Sequence, residues 1–164
     1  MSQAIAPFVF HQGTAPLLIS MPHTGTHVPA DIAAKLTPEG REVHDTDWHM
    51  PQLYDFAKAL GASMLIATHS RYVIDLNRPP DGASLYPGQS VTGLCPVDTF
   101  DDTPLYADPA DVPADAEIAA RREAIWGPYH AQLRAERGAR GGIEGAAIGP
   151  ADGGAGCGDD DCVT

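Results

Sequence analysis

Residue types that bind metals and anions concentrate in three short segments of this 164-residue sequence. Residues 22–27 read Pro-His-Thr-Gly-Thr-His, and residues 44–49 read His-Asp-Thr-Asp-Trp-His. Residues 70–79 read Ser-Arg-Tyr-Val-Ile-Asp-Leu-Asn-Arg-Pro. Imidazoles and carboxylates are zinc ligands, whereas a guanidinium beside an amide suits a carboxylate held by two parallel hydrogen bonds. The three segments together favour metal-assisted hydrolysis of a small acidic molecule.

The best candidate for a first metal ligand is His23, because it follows a predicted strand and precedes Gly25. A loop histidine satisfied by backbone groups is the alternative. Catalytic zinc takes three protein ligands and leaves one position for water, so a carboxylate is also needed. Asp45 and Asp47 are the candidates, and the alternative for each is a helix cap. Asp45 is slightly favoured because it precedes the predicted helix.

The other histidines of these segments are weaker candidates. His27 would lie beside His23 only in a helix, which Gly25 and Pro29 disfavour, so we expect it behind the site or at the surface. His44 and His49 are expected at the surface.

The segment 70–79 predicts a strand that runs into a loop with an anion site. Arg71 would stabilise the oxyanion of a tetrahedral intermediate, and Asn77 with Arg78 would hold a substrate carboxylate. Alternatively, Asp75 pairs with an arginine and the motif is structural. Even if Asp75 pairs with one of the two arginines, the other arginine would remain available to bind an anion.

Hydrophobic patterning predicts an α/β architecture that places these segments at strand ends. Residues 8–10, 17–20 and 63–68 are predicted strands, the last one buried. Residues 31–36 form one or two helical turns, and residues 47–60 form an amphipathic helix capped by Asp45, Thr46 or Asp47. A second helix, over 115–137 with Asp115 as its cap, should be kinked at Gly127-Pro128, and His130 is expected to be exposed on it.

Composition excludes several classes of partner. The chain carries 22 acidic and 10 basic residues, for a formal net charge of −12. Such a field repels nucleic-acid backbones and anionic membranes. The sequence offers no run of about 20 apolar residues for a membrane helix, so we predict a cytoplasmic protein. Its oligomeric state is left open.

The last part of the chain differs in composition from the rest. Residues 138–164 are rich in Gly, Ala and Asp and poor in large aliphatic residues. Such a segment buries too little apolar surface to fold alone, and we predict that it is disordered. The predicted organisation is therefore one domain over residues 1–137, followed by a tail over 138–164.

A series of motifs in this order resembles the N-formylglutamate amidohydrolase family, also called N-formylglutamate deformylases. The resemblance covers roughly residues 8–135. It rests on the following segments: 22–25 (Pro-His-Thr-Gly), 45–49 (Asp-Thr-Asp-Trp-His), 53–54 (Leu-Tyr), 70–79, 86–89 (Tyr-Pro-Gly-Gln), 104–106 (Pro-Leu-Tyr) and 128–130 (Pro-Tyr-His).

This resemblance implies a three-layer α/β/α fold with a mixed sheet, similar to zinc carboxypeptidases and aspartoacylases and incomplete here. It implies a zinc enzyme that hydrolyses N-formyl-L-glutamate to formate and L-glutamate in histidine degradation. Zinc would be bound by His23 with Asp45 or Asp47, since position 26 is Thr26 where carboxypeptidases have a glutamate. The later histidine ligand of the family has no counterpart here. A non-catalytic truncated fragment and an amidohydrolase for another N-acyl amino acid are the alternatives.

Overall fold

A small mixed sheet forms the centre of the fold in the computed structural model, which describes residues 5–81 and 93–139. Its strands are β1 (Phe8–His11), β2 (Leu18–Met21) and β3 (Ser63–Ala67). Strand β3 lies between the others, antiparallel to β1 and parallel to β2. All three predicted strands are confirmed, and the chain is an α/β protein with a mixed sheet.

The central strand is buried because both of its edges and both of its faces are covered. Met64 and Leu65 have no solvent exposure, and Ala67 is nearly as buried. A short continuous apolar run is typical of such a strand, so its burial was predictable. Since β2 is parallel to β3, the carboxyl ends of both strands lie at one edge of the sheet, where His23 and the segment after Thr68 begin.

The segment between β2 and β3 contains only short helices: α1 (Ala30–Ala33), α2 (Pro38–Arg41), α3 (Met50–Leu53) and α4 (Phe56–Ala59). The helical turn predicted within 31–36 is confirmed by α1. The single amphipathic helix predicted over 47–60 is wrong. His49 has a left-handed φ of 64°, which delays the start, and the chain leaves helical geometry between α3 and α4.

The predicted apolar stripe of that helix is also not buried. Leu53, Phe56 and Leu60 are each more than 60% exposed, and only Ala57 is buried. The predicted caps are wrong as well, since α3 has no side-chain cap. Gly61, however, has the positive φ of 79° expected for the residue after a helix.

The C-terminal helix is continuous over residues 115–139, but the number of residues per turn changes within it. Helix α5 (Asp115–Arg121) passes through a π-helical turn (Arg122–Trp126) into α6 (Gly127–Ala139). Pro128 lacks an N–H and crowds the preceding turn, and the N–H of Gly127 bonds instead to the carbonyl of Arg122. A widened turn therefore lies directly before Gly127-Pro128, where a kink was predicted. Ala114 occupies the cap position, so the prediction of Asp115 as the cap is wrong.

Residues 70–79 form a sequence of turns, and the strand predicted there is wrong. The N–H of Val73 bonds to the carbonyl of Ser70, and the N–H of Arg78 bonds to the carbonyl of Asp75. Tyr72, Val73 and Ile74 are nevertheless almost fully buried. Burial on all sides gives turns the same apolar composition as a strand, which explains the error.

Some predictions fall on parts of the chain that the structure does not describe. The turn at 86–89 lies outside the described residues, as do residues 140–164 of the predicted tail. Residues 138 and 139 belong to α6. No helix in the described part of the chain combines the length and apolarity needed to cross a bilayer.

A pair of histidines links the loop after β2 to the end of β3. His27 and His69 form an isolated parallel bridge, and their rings meet edge to face with centroids 4.8 Å apart. His69 is buried. Burial, together with the neighbouring His27, lowers the pKa of His69 from 6.5 to about 4.

We therefore expect stability to depend on pH through His69. The unfolded chain protonates this imidazole below pH 6.5, but the folded chain does so only near pH 4. The contribution of His69 to the free energy of unfolding should therefore be complete above pH 6.5. Between pH 6.5 and pH 4 the free energy of unfolding should decrease by up to about 1.4 kcal/mol for each pH unit. Urea unfolding of His69→Gln across this range should show that slope reduced.

The control for this experiment is His44→Gln, which replaces an exposed histidine. Its pH slope should match that of the wild-type chain. Identical slopes in all three proteins would contradict a depressed pKa at His69.

Candidate functional site

A buried aspartate organises the site. The carboxylate of Asp75 is fully shielded from solvent. Its Oδ1 lies 2.7 Å from Nε2 of His23 and accepts the N–H of Asn77 at 2.8 Å, while Oδ2 accepts NH2 of Arg71 at 2.6 Å. Nε of Arg78 lies 3.8 Å from the same Oδ2. The structure therefore brings together His23, Arg71 and Arg78 around one carboxylate.

The charge of Asp75 is stabilised by these donors. Burial raises the pKa of its carboxyl, but the hydrogen bond and charge of His23, the charge of Arg71 and the N–H of Asn77 outweigh this effect. The net result is a pKa below the ordinary value, so Asp75 is ionised in the folded protein at neutral pH.

Close backbone packing places His23 against Asp75. His23 follows β2 within two residues, and Gly25 then passes the end of β3. A Cβ on Gly25 would lie 2.2 Å from the carbonyl oxygen of His69, closer than any side chain allows. Only glycine permits this approach, and the loop that carries His23 is thereby held at the carboxyl edge of the sheet.

The tautomer of His23 follows from its partner. A carboxylate only accepts hydrogen bonds, so Nε2 of His23 carries the proton that Asp75 accepts. In the neutral ring Nδ1 then keeps its lone pair. This Nδ1 lies 4.0 Å from Oδ2 of Asp47, whose side chain is about half exposed. The N–H of Asp47 also donates to the carbonyl of His23 at 2.9 Å, which fixes the two residues side by side.

Asp45 takes a different direction from Asp47. Its Oδ2 accepts the N–H of Phe100 at 3.0 Å, and its own N–H donates to the hydroxyl of Tyr72 at 3.3 Å. Burial, with hydrogen bonding to Asp45, raises the pKa of Tyr72 to about 12. Asp45 thus links the loop at 97–106 to the segment that carries Arg71. Neither Asp45 nor Asp47 caps α3.

Arg71 is buried beneath an aromatic ring. Its guanidinium carbon lies 4.2 Å from the centroid of Phe100, in a cation–π contact, while NH2 bonds to Asp75. Phe100 itself is 58% exposed, so it covers the arginine from the solvent side. The sequence left open whether Asp75 pairs with an arginine, and the structure selects Arg71 as its closest guanidinium partner. The role of Arg71 towards an oxyanion stays a prediction.

The described residues do not contain a complete set of metal ligands. Within 5–81 and 93–139, no three histidine, cysteine, aspartate or glutamate side chains are close enough to hold one ion. Two donors of the types that zinc prefers do face each other, Nδ1 of His23 and Oδ2 of Asp47. A carboxylate on the remote ring nitrogen, as Asp75 provides here, is the usual support of a metal-binding histidine.

Sequence reasoning missed part of this arrangement. Asp75 was expected to be at most a partner of one arginine, yet it also binds His23. Phe100 was not predicted to be part of the site, because an aromatic residue in a loop without hydrophobic periodicity does not indicate a functional role. The expectation that His130 is exposed is wrong: it is half-buried, and its Nε2 lies 2.9 Å from the carbonyl of Leu76. The surface positions predicted for His44 and His49 are confirmed.

Fold and site together define an α/β protein with a histidine–carboxylate–guanidinium cluster at the carboxyl edge of its sheet. The model of the N-formylglutamate amidohydrolase family matches residues 15–148. The chain belongs to this family. The match extends past residue 137 into the segment predicted as a tail.

Similar proteins of known sequence or structure agree with that assignment. N-formylglutamate deformylases of Pseudomonas putida and Pseudomonas aeruginosa are 50% and 48% identical over 127 residues, which is 77% of this chain and 47% of each relative. The chain thus spans about half the length of the curated relatives it matches.

A crystal structure of N-formylglutamate amidohydrolase from Ralstonia eutropha JMP134 superimposes with a TM-score of 0.69 at 28% identity. The superposition covers 83% of this chain and 52% of that one. A gene product of Agrobacterium tumefaciens has a TM-score of 0.60 at 22% identity, with the same two shares covered, and supports the fold alone.

Replacement of Asp75 by asparagine should destabilise the fold strongly. The amide has one acceptor oxygen in place of two and no charge, so the buried guanidinium of Arg71 loses its counter-ion. Removing one partner of a buried ion pair costs about 3–5 kcal/mol. Urea unfolding followed by circular dichroism would measure this loss.

The matched control is Asp55→Asn, which breaks an exposed pair with Lys58 at 2.6 Å. That change should alter the free energy of unfolding by less than about 1 kcal/mol. Similar effects of the two substitutions would contradict the central position of Asp75.

Proposed function

We propose that this chain carries the substrate-binding part of a deformylase that hydrolyses the formyl amide of N-formyl-L-glutamate, giving formate and L-glutamate. The observation that carries this proposal is the cluster in which Asp75 holds His23, Arg71 and Arg78 at the edge of the sheet. Near 50% identity to two deformylases supports the choice of substrate. We further propose that the protein is cytoplasmic and acts in histidine degradation.

N-formyl-L-glutamate is a dicarboxylate, and the guanidinium groups of the site could bind its carboxylates. Arg78, with Asn77, would hold a substrate carboxylate through the planar geometry of the guanidinium. Asp75 already accepts the backbone N–H of Asn77 and lies near Nε of Arg78, so both residues are placed before a substrate arrives. Placement in advance reduces the entropy lost on binding.

Arg71 would act at the formyl group. A guanidinium has several N–H donors, and its bond to Asp75 uses one nitrogen. A remaining donor aimed at the carbonyl oxygen would stabilise the charge that develops there in the transition state. The ring of Phe100 shields Arg71 from water, which strengthens such an interaction.

We propose zinc as the cofactor, with His23 and Asp47 as two of its ligands. The proton of His23 on Nε2 and the lone pair on Nδ1 support this choice, as does the half-exposed carboxylate of Asp47. Asp45 is the less suitable of the two aspartates, because its Oδ2 already accepts from Phe100. Bound zinc would supply a Lewis acid towards the formyl carbonyl. A three-layer fold like that of zinc carboxypeptidases is part of the same proposal.

Non-catalytic binding of an acidic ligand is the second candidate function. It is favoured by the finding that the described residues include no set of three metal-ligating side chains. Another N-acyl amino acid as the substrate is a variant of the first candidate.

Formate release distinguishes these functions. The purified chain, incubated with zinc chloride and N-formyl-L-glutamate, should release formate, and EDTA should abolish the release. N-acetyl-L-glutamate and N-formyl-L-alanine test the acyl group and the side-chain carboxylate separately. Saturable binding of N-formyl-L-glutamate without formate release would support the non-catalytic candidate, and absence of both would contradict the proposed function.

Arg78→Ala should weaken substrate binding more than turnover. Loss of a charge-assisted pair with the substrate carboxylate should raise KM about tenfold to a hundredfold, with a smaller change in kcat. Steady-state formate release, or calorimetric Kd for N-formyl-L-glutamate, measures the effect. Arg41→Ala, which removes an exposed arginine bonded to the carbonyl of Ala33, should leave KM unchanged. An unchanged KM in Arg78→Ala would refute the assigned role.

A further inference from the structure

One face of the C-terminal helix is hydrogen-bonded to the backbone of the segment that carries Asn77 and Arg78. The indole N–H of Trp126 donates to the carbonyl of Arg78 at 3.0 Å. Nε2 of His130 lies 2.9 Å from the carbonyl of Leu76 and, since a carbonyl only accepts, must donate to it. We call these two bonds the helix clamp.

A third contact extends the same pattern. NH1 of Arg122 donates to the carbonyl of Pro80 at 3.1 Å, near the protein surface. The three donors recur every fourth residue along the helix, and the three acceptors are alternate residues of the loop, in the opposite direction. Residues 122–130 of the helix therefore lie alongside residues 76–80 of the loop, and the two segments run in opposite directions.

The π-helical turn lies within the part of the helix that carries the three donors. With 3.6 residues per turn, positions four apart drift around an α-helix by about 40° at each step. The π-helical turn Arg122–Trp126 has more residues per turn than an α-helix, so the step from Arg122 to Trp126 drifts in the opposite direction. The two drifts, from Arg122 to Trp126 and from Trp126 to His130, therefore offset each other. Gly127 and Pro128 favour this winding, because Pro128 has no N–H to give to the normal ladder.

The two clamp side chains also restrain each other. The rings of Trp126 and His130 stack with centroids 3.8 Å apart and an interplanar angle of 25°. Both residues are half-buried. Stacking limits the rotation of each ring, so the two N–H donors stay aimed at the loop.

The segment that carries Asn77 and Arg78 is also hydrogen-bonded to Asp75. The N–H of Asn77 bonds to Oδ1 of Asp75, and the N–H of Arg78 bonds to the carbonyl of Asp75. The loop is thus fixed between the buried carboxylate and the helix clamp. Small displacements matter at such a site, because a misplacement of about 1 Å can cost orders of magnitude in rate.

We infer that Trp126 and His130 are positioning residues that set the place of Asn77 and Arg78 for binding an acidic substrate. This inference deepens the proposed function and rests on it for the identity of the ligand. Neither side chain need touch the substrate, since each acts on the loop through a backbone carbonyl.

His130→Phe is the principal test, because it removes the donor and keeps an aromatic ring for the stack with Trp126. The Kd for N-formyl-L-glutamate, measured by calorimetry on the full chain, should rise about tenfold. Where formate release is measurable, KM should rise by the same factor and kcat should change little. Trp126→Phe, which removes the other donor, should have a similar effect.

Two further variants separate positioning from general stability. His130→Gln can still donate to the carbonyl of Leu76, and its Kd should return to within about threefold of the wild-type value. His11→Phe makes the same exchange at an exposed position at the end of β1 and should leave Kd unchanged. Wild-type affinity in both His130→Phe and Trp126→Phe would overturn the inference, as would equal losses in His130→Gln and His130→Phe.

Hydrogen exchange distinguishes failure of this inference from failure of the proposed function. If the wild-type chain does not bind N-formyl-L-glutamate, the proposed function fails, but the clamp is still measurable without a ligand. Amides of residues 76–78 should exchange faster in His130→Phe than in the wild-type chain, while those of β3 should not change. Equal exchange at 76–78 in both proteins would overturn the helix clamp.

Discussion

The carboxylate of Asp75 is the group on which the site depends. It has no contact with solvent, so its charge must be balanced by protein groups. It receives hydrogen bonds from His23, Arg71 and the backbone of Asn77. These donors come from the end of β2 and from the turns after β3. One buried charge therefore joins the two segments that the parallel pair of strands brings to the same edge.

The same charge gives the surrounding side chains their chemical character. Because Asp75 accepts from Nε2 of His23, the other ring nitrogen of this histidine is the one that faces Asp47. Because Oδ2 binds Arg71, this guanidinium is held under the ring of Phe100. A buried ion pair of this kind contributes little net stability, since desolvation offsets the attraction. Its value lies in the orientation that it imposes on its neighbours.

Local sequence features with a strong physical cause were predictable. The apolar run of β3 requires burial on both faces, and the structure has it at the centre of the sheet. The helix predicted over 115–137 follows from its apolar spacing, and the missing N–H of Pro128 marks the place where its winding becomes irregular, although a kink was predicted there and not a π-helical turn. The prediction failed at 47–60, where apolar residues recur with helical period but all the large ones remain exposed. Periodicity indicates what a helix could bury, but it does not supply a surface to bury it against.

Residue types and their spacing determined which chemistry was available: imidazoles, carboxylates and guanidinium groups in three segments, with a resemblance that named the family. Tertiary structure decided which of them meet. It placed Asp47 beside His23 and turned Asp45 towards Phe100, a choice between two aspartates two residues apart that no pattern distinguishes. It also placed His130 against the loop at Leu76. These contacts join residues far apart in sequence, and their geometry is set by chain packing, which local preferences do not encode.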